Sequence, residues 1–199
     1  MRKITAYRIK ARGYVIYILL DFKGNLLANS IPLTNEHLAR EVFEEILKTA
    51  YGISGSMSHI IEEDKRKEVI DIAHAILDIF MGNVQVRKVL NGILDTKSWD
   101  DIRMRVMNLT RKIPRGRVTT YKSIAKILGI HPRAVGNILK RNPYPVIYPC
   151  HRVVKSNGEL GGYIGSKYAW LKRWLLEIEG VVVKNGKVER KYLMDIKKP

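Results

Sequence analysis

Among 199 residues there is one cysteine, Cys150, and it stands in the run Tyr148-Pro149-Cys150-His151-Arg152. Sulfur attacks carbon as a thiolate, so a nucleophilic cysteine needs a base for its proton and positive surroundings for its anion. His151 is a residue type that can be the base, and Arg152 with the basic residues around it supplies positive charge. Adjacent side chains on regular backbone point apart, so His151 acts on Cys150 only through a bridging water or a kinked chain, and Pro149 stiffens the backbone there. These residues alone leave two readings, a thiolate nucleophile or the small buried hydrophobe that a lone cysteine more often is. A single cysteine leaves no intramolecular disulfide to form and suits a reducing, cytoplasmic setting. Five scattered histidines give no recognisable metal spacing.

The charge says what such a nucleophile would meet. The net charge is +17, with about +2 on residues 1–98 and +15 on residues 99–199. A solvated, Lys/Arg-rich surface explains basic charge in general, but not a change at residue 98, and the asymmetry points to a polyanion, most simply nucleic acid, on the second half. No apolar run approaches the roughly 18 residues of a membrane helix. The N-terminal apolar stretch ends at Asp21 without a small-residue cleavage site and reads as strand rather than secretion signal.

The elements that must position these residues follow from periodicity and punctuation. ITAYRIKA and YVIYILLD read as strands, with Lys23-Gly24-Asn25 turning into LLANSIPL. A helix begins at Thr34 and buries Leu38, Val42, Ile46 and Leu47. Residues 51–58 form a loop, and a second helix over 62–81 buries Val69, Ile72, Ala73, Ile76 and Phe80. Gly92 to Lys97 reads as a linker, which divides the chain into an N-terminal α/β domain, 1–97, and a mainly helical domain, 98–199, an α/β (α+β) architecture overall. Ser98 caps a helix carrying Ile102, Val106, Leu109 and Ile113 that stops at Pro114-Arg115-Gly116. Thr120 caps YKSIAKIL, which ends at Gly129, and Pro132 opens the next helix, which ends before Pro143. Two short helices around a tight turn make a helix-turn-helix. A helix from about Ser166 carries Trp170, Leu171, Trp174, Leu175 and Ile178 and is closed by Gly180. Lys184-Asn185-Gly186 marks a last hairpin before a basic tail.

The run PVIYPCHRVV closely resembles the Pro-Cys-His-Arg-Val signature of the O6-alkylguanine-DNA alkyltransferases. The likeness extends from Trp99 to Gly180 and takes in the Thr-Tyr helix, the Arg-Ala-Val-Gly helix, the Asn-Pro bend, the Gly-Tyr loop and the Glu-Gly helix end. Residues 1–97 carry no motif and correspond to the family's variable first domain. The resemblance implies a methylated-DNA–protein-cysteine methyltransferase of a single turnover: Cys150 takes the alkyl group from O6-alkylguanine and no cofactor is required. It implies that His151, acting through water and oriented by Glu179, takes the thiol proton. Tyr121 donates to the departing guanine, and Asn142 is the hinge between the DNA-binding helix and the active-site turn. Val153, Tyr163, Ile164 and Gly165 line the base pocket. Ile164 stands where many relatives carry serine, so that a hydroxyl is missing while the backbone amide remains.

The same resemblance implies double-stranded DNA as partner, entered through the minor groove by a monomer, with the target nucleotide rotated out of the stack. Arg133 then fills the vacated space, Ala134 and Gly136 let the helix approach closely, and Lys122, Lys126, Lys140, Arg141 and Ser156 contact phosphates. A non-enzymatic lesion binder of the alkyltransferase-like kind would replace the cysteine that is present here. A sequence-reading helix-turn-helix regulator would need a better set of base-reading side chains than Arg, Ala, Val, Gly and Asn. A turning-over cysteine hydrolase has no support in the family.

Overall fold

Arg12 and Gly13 both take positive φ, 50° and 80°, the backbone that a two-residue hairpin turn needs to match the twist of its strands. Ile4–Ala11 (β1) therefore folds back antiparallel on Tyr14–Asp21 (β2), and β2 pairs in turn with Leu26–Asn29 (β3). The structure is a computed structural model and describes residues 4–53, 60–62, 64–165 and 167–196. It divides into two compact units, 1–98 with 143–147, and 99–142 with 148–199.

In the first unit Glu36–Tyr51 (α1) and Lys67–Met81 (α2) cover opposite faces of the sheet. Tyr17 stacks on Phe43 of α1 at 5.7 Å and Tyr14 meets Phe80 of α2 edge-on at 5.5 Å. Residues three apart on a strand face opposite ways, so β2 is sandwiched, and its apolar residues run on without alternation. Arg8 is almost fully buried in β1 and donates to Glu36 and to Glu62, the latter at 3.0 Å.

Three expectations change here. The helix expected over 62–81 starts at Lys67, because Ile60–Glu62 (β4) pairs parallel with β1 instead. The chain turns before α2 at Asp64, whose carboxylate accepts the Arg66 backbone N–H at 2.8 Å. Residues 92–97 are not a free linker. After a short helix, Arg87–Leu90 (α3), Ile93 O accepts from Leu26 N at 2.7 Å, and Asp95 N donates to Leu26 O at 2.9 Å. That stretch thus pairs with β3. The first α1 turn is capped by Asn35 rather than Thr34. The loop expected over 51–58 falls largely outside the described residues, as do Ser166 and the tail from 197.

The second unit is built of helices around two small sheets. Asp101–Arg111 (α4) is capped by Asp100, whose carboxylate accepts the Arg103 N–H at 2.6 Å, and not by Ser98. Thr119–Thr120 (β5) leads into Tyr121–Leu128 (α5), capped by Thr120 and closed by Gly129. Pro132–Lys140 (α6) follows with proline in its first turn. Val153–Val154 (β6) pairs parallel with β5. Ala169–Ile178 (α7) precedes the hairpin of Val183–Lys184 (β7) and Lys187–Val188 (β8), turned by Asn185 and Gly186 at positive φ. Helix α7 buries Leu171, Lys172, Leu175 and Leu176, while Trp170 and Ile178 face outward at 49% and 39% exposure. Its inner stripe therefore includes a lysine in place of the expected Trp170 and Ile178. Among the described residues no helix is long and apolar enough to cross a membrane.

Candidate active site

The backbone at the cysteine is kinked. Pro149 sits at φ −77°, ψ 66°, and Cys150 N donates to Tyr148 O at 2.7 Å, an inverse γ-turn. A single 3-10 turn, Cys150–Arg152, then runs into β6. The turn buries Cys150 to 7% exposure. Asn142, just past the end of α6, donates through Nδ2 to Tyr148 O at 2.9 Å and to Cys150 Sγ at 3.2 Å. One amide thus holds the helix end, the γ-turn and the sulfur together. Burial pushes the Cys150 thiol up; the Asn142 hydrogen bond, Lys172 and Tyr163 pull it down, but less. At rest the sulfur is a thiol, so a base is required; the basic surroundings do not by themselves make a thiolate.

His151 Nε2 lies 3.0 Å from Glu179 Oε1. The same carboxylate receives Arg152 Nε at 2.9 Å and Nη2 at 2.7 Å, while Arg152 Nη1 donates to Ile113 O at 2.7 Å. All three side chains are buried. Burial alone would raise the Glu179 carboxyl, but His151 and Arg152 outweigh it and hold it down to about 2. Held so far below its usual range, the Glu179 carboxyl is ionised at neutral pH. An ionised carboxylate only accepts, which makes Nε2 the nitrogen that carries the proton. Burial keeps His151 below its ordinary value, against the pull of Glu179. The imidazole is therefore neutral with its lone pair on Nδ1, a buried atom with no hydrogen-bond partner among the described residues.

Lys172, on the inner stripe of α7, is 1% exposed. Its Nζ donates to Val153 O at 2.5 Å and to Tyr121 Oη at 3.3 Å, and lies 5.4 Å from the Tyr121 ring centre. Burial lowers this amine to about 7. The Tyr121 phenol is pushed up to about 12 by burial and by Cys150, so its proton stays in place at neutral pH. Sequence reading missed Lys172 and the Arg152 pair. The signal for Lys172 was spacing: residues 172, 175, 176 and 179 share one helical stripe.

Tyr163 is buried, its ring edge-on to His151 at 6.5 Å. Its hydroxyl is forced well above its usual range by burial and by the neighbouring Cys150. Ile164 and Gly165 are half-buried at φ 40° and 71°, and a β-branched residue rarely adopts the first of these. The close approach to Tyr121 comes instead from Gly161, at φ 74°, where a Cβ would stand 3.3 Å from Tyr121 Oη.

The residues expected to meet DNA are exposed or half-buried. Helix α6 buries Val135 and Leu139 and exposes Arg133 and Lys140; Ala134 and Gly136 are half-buried, and Lys122, Lys126, Arg141 and Ser156 are exposed. Among the described residues no group of three or more His, Cys, Asp or Glu could hold a metal ion.

Residues 101–181 match the family described as 6-O-methylguanine DNA methyltransferase, DNA binding domain. The chain is 41% identical over 116 residues to a methylated-DNA–protein-cysteine methyltransferase of Thermococcus barophilus, an alignment covering 58% of this chain and 64% of that protein. It is 34% identical over 177 residues to the protein of that name from Methanocaldococcus jannaschii, covering 88% and 95% of the two chains. The fold superposes on the crystal structure of the O6-methylguanine-DNA methyltransferase of Pyrococcus kodakaraensis with a TM-score of 0.62 at 28% identity, over 90% of this chain and 100% of that one. By a likeness of 34% identity that runs almost the full length of the Methanocaldococcus jannaschii relative, the chain belongs to the methylated-DNA–protein-cysteine methyltransferase family.

Proposed function

We propose that this protein removes the alkyl group of O6-alkylguanine in double-stranded DNA by transferring it irreversibly to Cys150. The observation that carries the reading is two buried hydrogen-bonded pairs on consecutive residues: Cys150, the sole cysteine, held by the Asn142 amide, and His151, whose Nε2 is held by the ionised Glu179 so that Nδ1 keeps its lone pair. His151 Nδ1 takes the thiol proton through a water. Cys150 Sγ displaces guanine from the alkyl carbon in line, forming one C–S bond as the C–O6 bond breaks. The electrons released to the base are met by the proton of Tyr121, whose hydroxyl oxygen accepts from Lys172 while its own hydrogen remains free to donate. The products are S-alkylcysteine and unmodified guanine, and each chain reacts once.

The electrophile lies inside a base pair, and Cys150 is buried, so the nucleotide must leave the stack at a cost of a few kcal/mol. Arg133, exposed at the start of α6, fills the gap, and the small Ala134 and Gly136 let the helix enter the minor groove. Lys122, Lys126, Lys140, Arg141 and Ser156 take phosphates, which suits a DNA-associated monomer that must inspect every sequence. Val153, Tyr163, Ile164 and Gly165 line the base pocket. The test is to count O6-methylguanine lost from a duplex oligonucleotide per chain. The count saturates at one and falls to zero for Cys150→Ser; turnover beyond one, or repair by the serine variant, rejects the mechanism.

A further inference from the structure

Residues 181–196, which the proposed chemistry does not use, are tied into the segments that carry it. Val181, Val183 and Val188 join Val118, Val154 and Leu176 in a small buried core, with Leu160, Tyr192 and Leu193 packed against it. Val118 lies three residues before Tyr121, Val154 three after His151, and Leu176 three before Glu179. The chain then runs alongside β5. Val118 N donates to Tyr192 O at 2.9 Å, Met194 N to Val118 O at 2.8 Å, and Thr119 Oγ1 to Met194 O at 2.9 Å. Asp195 ends the run at the start of α5, where Ser123 Oγ lies 3.1 Å from its Oδ1.

That last contact has a direction. A carboxylate only accepts, so the Ser123 hydroxyl must donate to Asp195. Ser123 Oγ then accepts from Thr120 Oγ1, 3.0 Å away, and this turns the Thr120 lone pairs towards the Ser123 N–H that they cap, also at 3.0 Å. Asp195 thus orders both hydroxyls of the helix cap, and places negative charge at the positive end of the helix whose first residue is Tyr121.

We infer that residues 181–196 form a strap that sets the position of Tyr121, with Asp195 and Ser123 as positioning residues for proton delivery to the departing base. The inference rests on the reading of Tyr121 as proton donor. Asp195 is exposed, so its removal tests the strap without emptying the core.

The test measures the single-turnover rate of alkyl transfer at saturating methylated duplex, together with duplex affinity. Wild type, Asp195→Ala, Asp195→Asn and Ser123→Ala are compared, each alone and combined with Tyr121→Phe. Asp195→Ala and Ser123→Ala each slow transfer about five- to tenfold with little change in affinity, because misplacing a donor penalises the chemical step. Asp195→Asn, which keeps an acceptor oxygen, recovers most of the rate. In the Tyr121→Phe background none of the three slows transfer further, the non-additivity of residues acting through one group. A wild-type rate in Asp195→Ala overturns the inference, as does an equal loss with and without the Tyr121 hydroxyl. If wild type itself transfers no alkyl group, the reading of Cys150 fails, and the strap's role falls with it.

Discussion

Arg152 grips Glu179 at two points, Nε to Oε2 at 2.9 Å and Nη2 to Oε1 at 2.7 Å, while His151 Nε2 shares Oε1 at 3.0 Å. The carboxylate therefore has two duties: it compensates a buried guanidinium and it fixes the histidine tautomer. These separate on substitution. Glu179→Gln keeps the shape but leaves Arg152 buried without its counter-charge, a loss of about 3–5 kcal/mol for breaking a buried pair. A large fall in melting temperature, read calorimetrically, is expected along with slowed alkyl transfer. Unchanged stability would mean that the pair is solvated.

Asn142→Ala removes the amide hydrogen bond to Cys150 Sγ. That bond favours the thiolate against burial, so its loss moves the thiol further up. The pH profile of iodoacetamide capture at Cys150 should shift to higher pH in the variant, with a slower rate at neutral pH. A superimposable profile would show that the amide does not act on the sulfur.

The pH dependence of stability follows from three buried groups. His151 has its folded value lowered by burial, so the unfolded chain binds the proton more readily, and stability is lost as pH falls below the unfolded value of about 6.5. Glu179 is held at about 2; its contribution is present above the ordinary carboxylate range and is lost as pH falls towards about 2. Lys172 is lowered to about 7, so between about 7 and its ordinary 10.5 the unfolded chain again holds more protons and stability rises with pH. Melting temperature should therefore rise from pH 7 to about 8.5 in wild type. The rise should vanish in Lys172→Met, whose side chain has nothing to titrate.

Much of this architecture was legible in local sequence. The Thr120 cap, Gly129, Pro132 and the Asn185-Gly186 turn all act within a few residues, and each marks its element where the structure has it. What the sequence hid is long-range. Asp64 to Arg66 opens α2 only because Ile60–Glu62 has been drawn into pairing with β1. The 92–97 stretch looked like a linker because its partner, Leu26, lies far back in the chain. Lys172 and the Arg152–Glu179 pair could not be picked out, because a carbonyl, a phenol and a carboxylate from other elements surround these cations only in the fold. The alternation of Trp170 and Ile178 with leucines suggested a wider apolar face on α7 than the core covers.

The exposed cations of the helix-turn-helix should show in the salt dependence of duplex binding. Each of Lys126→Ala and Arg141→Ala should reduce the slope of log affinity against log salt by about 1 and weaken binding similarly on every sequence. An unchanged slope would remove that residue from the phosphate contacts.

The most direct measurement is an intact and peptide mass spectrum after mixing the protein with a duplex carrying one O6-methylguanine. The predicted result is a gain of one methyl in place of one hydrogen, on the peptide containing Cys150, reaching one per chain and no more. Binding of the lesion with no change in mass, or a methyl group on any other residue, would contradict the assignment of Cys150 as the acceptor.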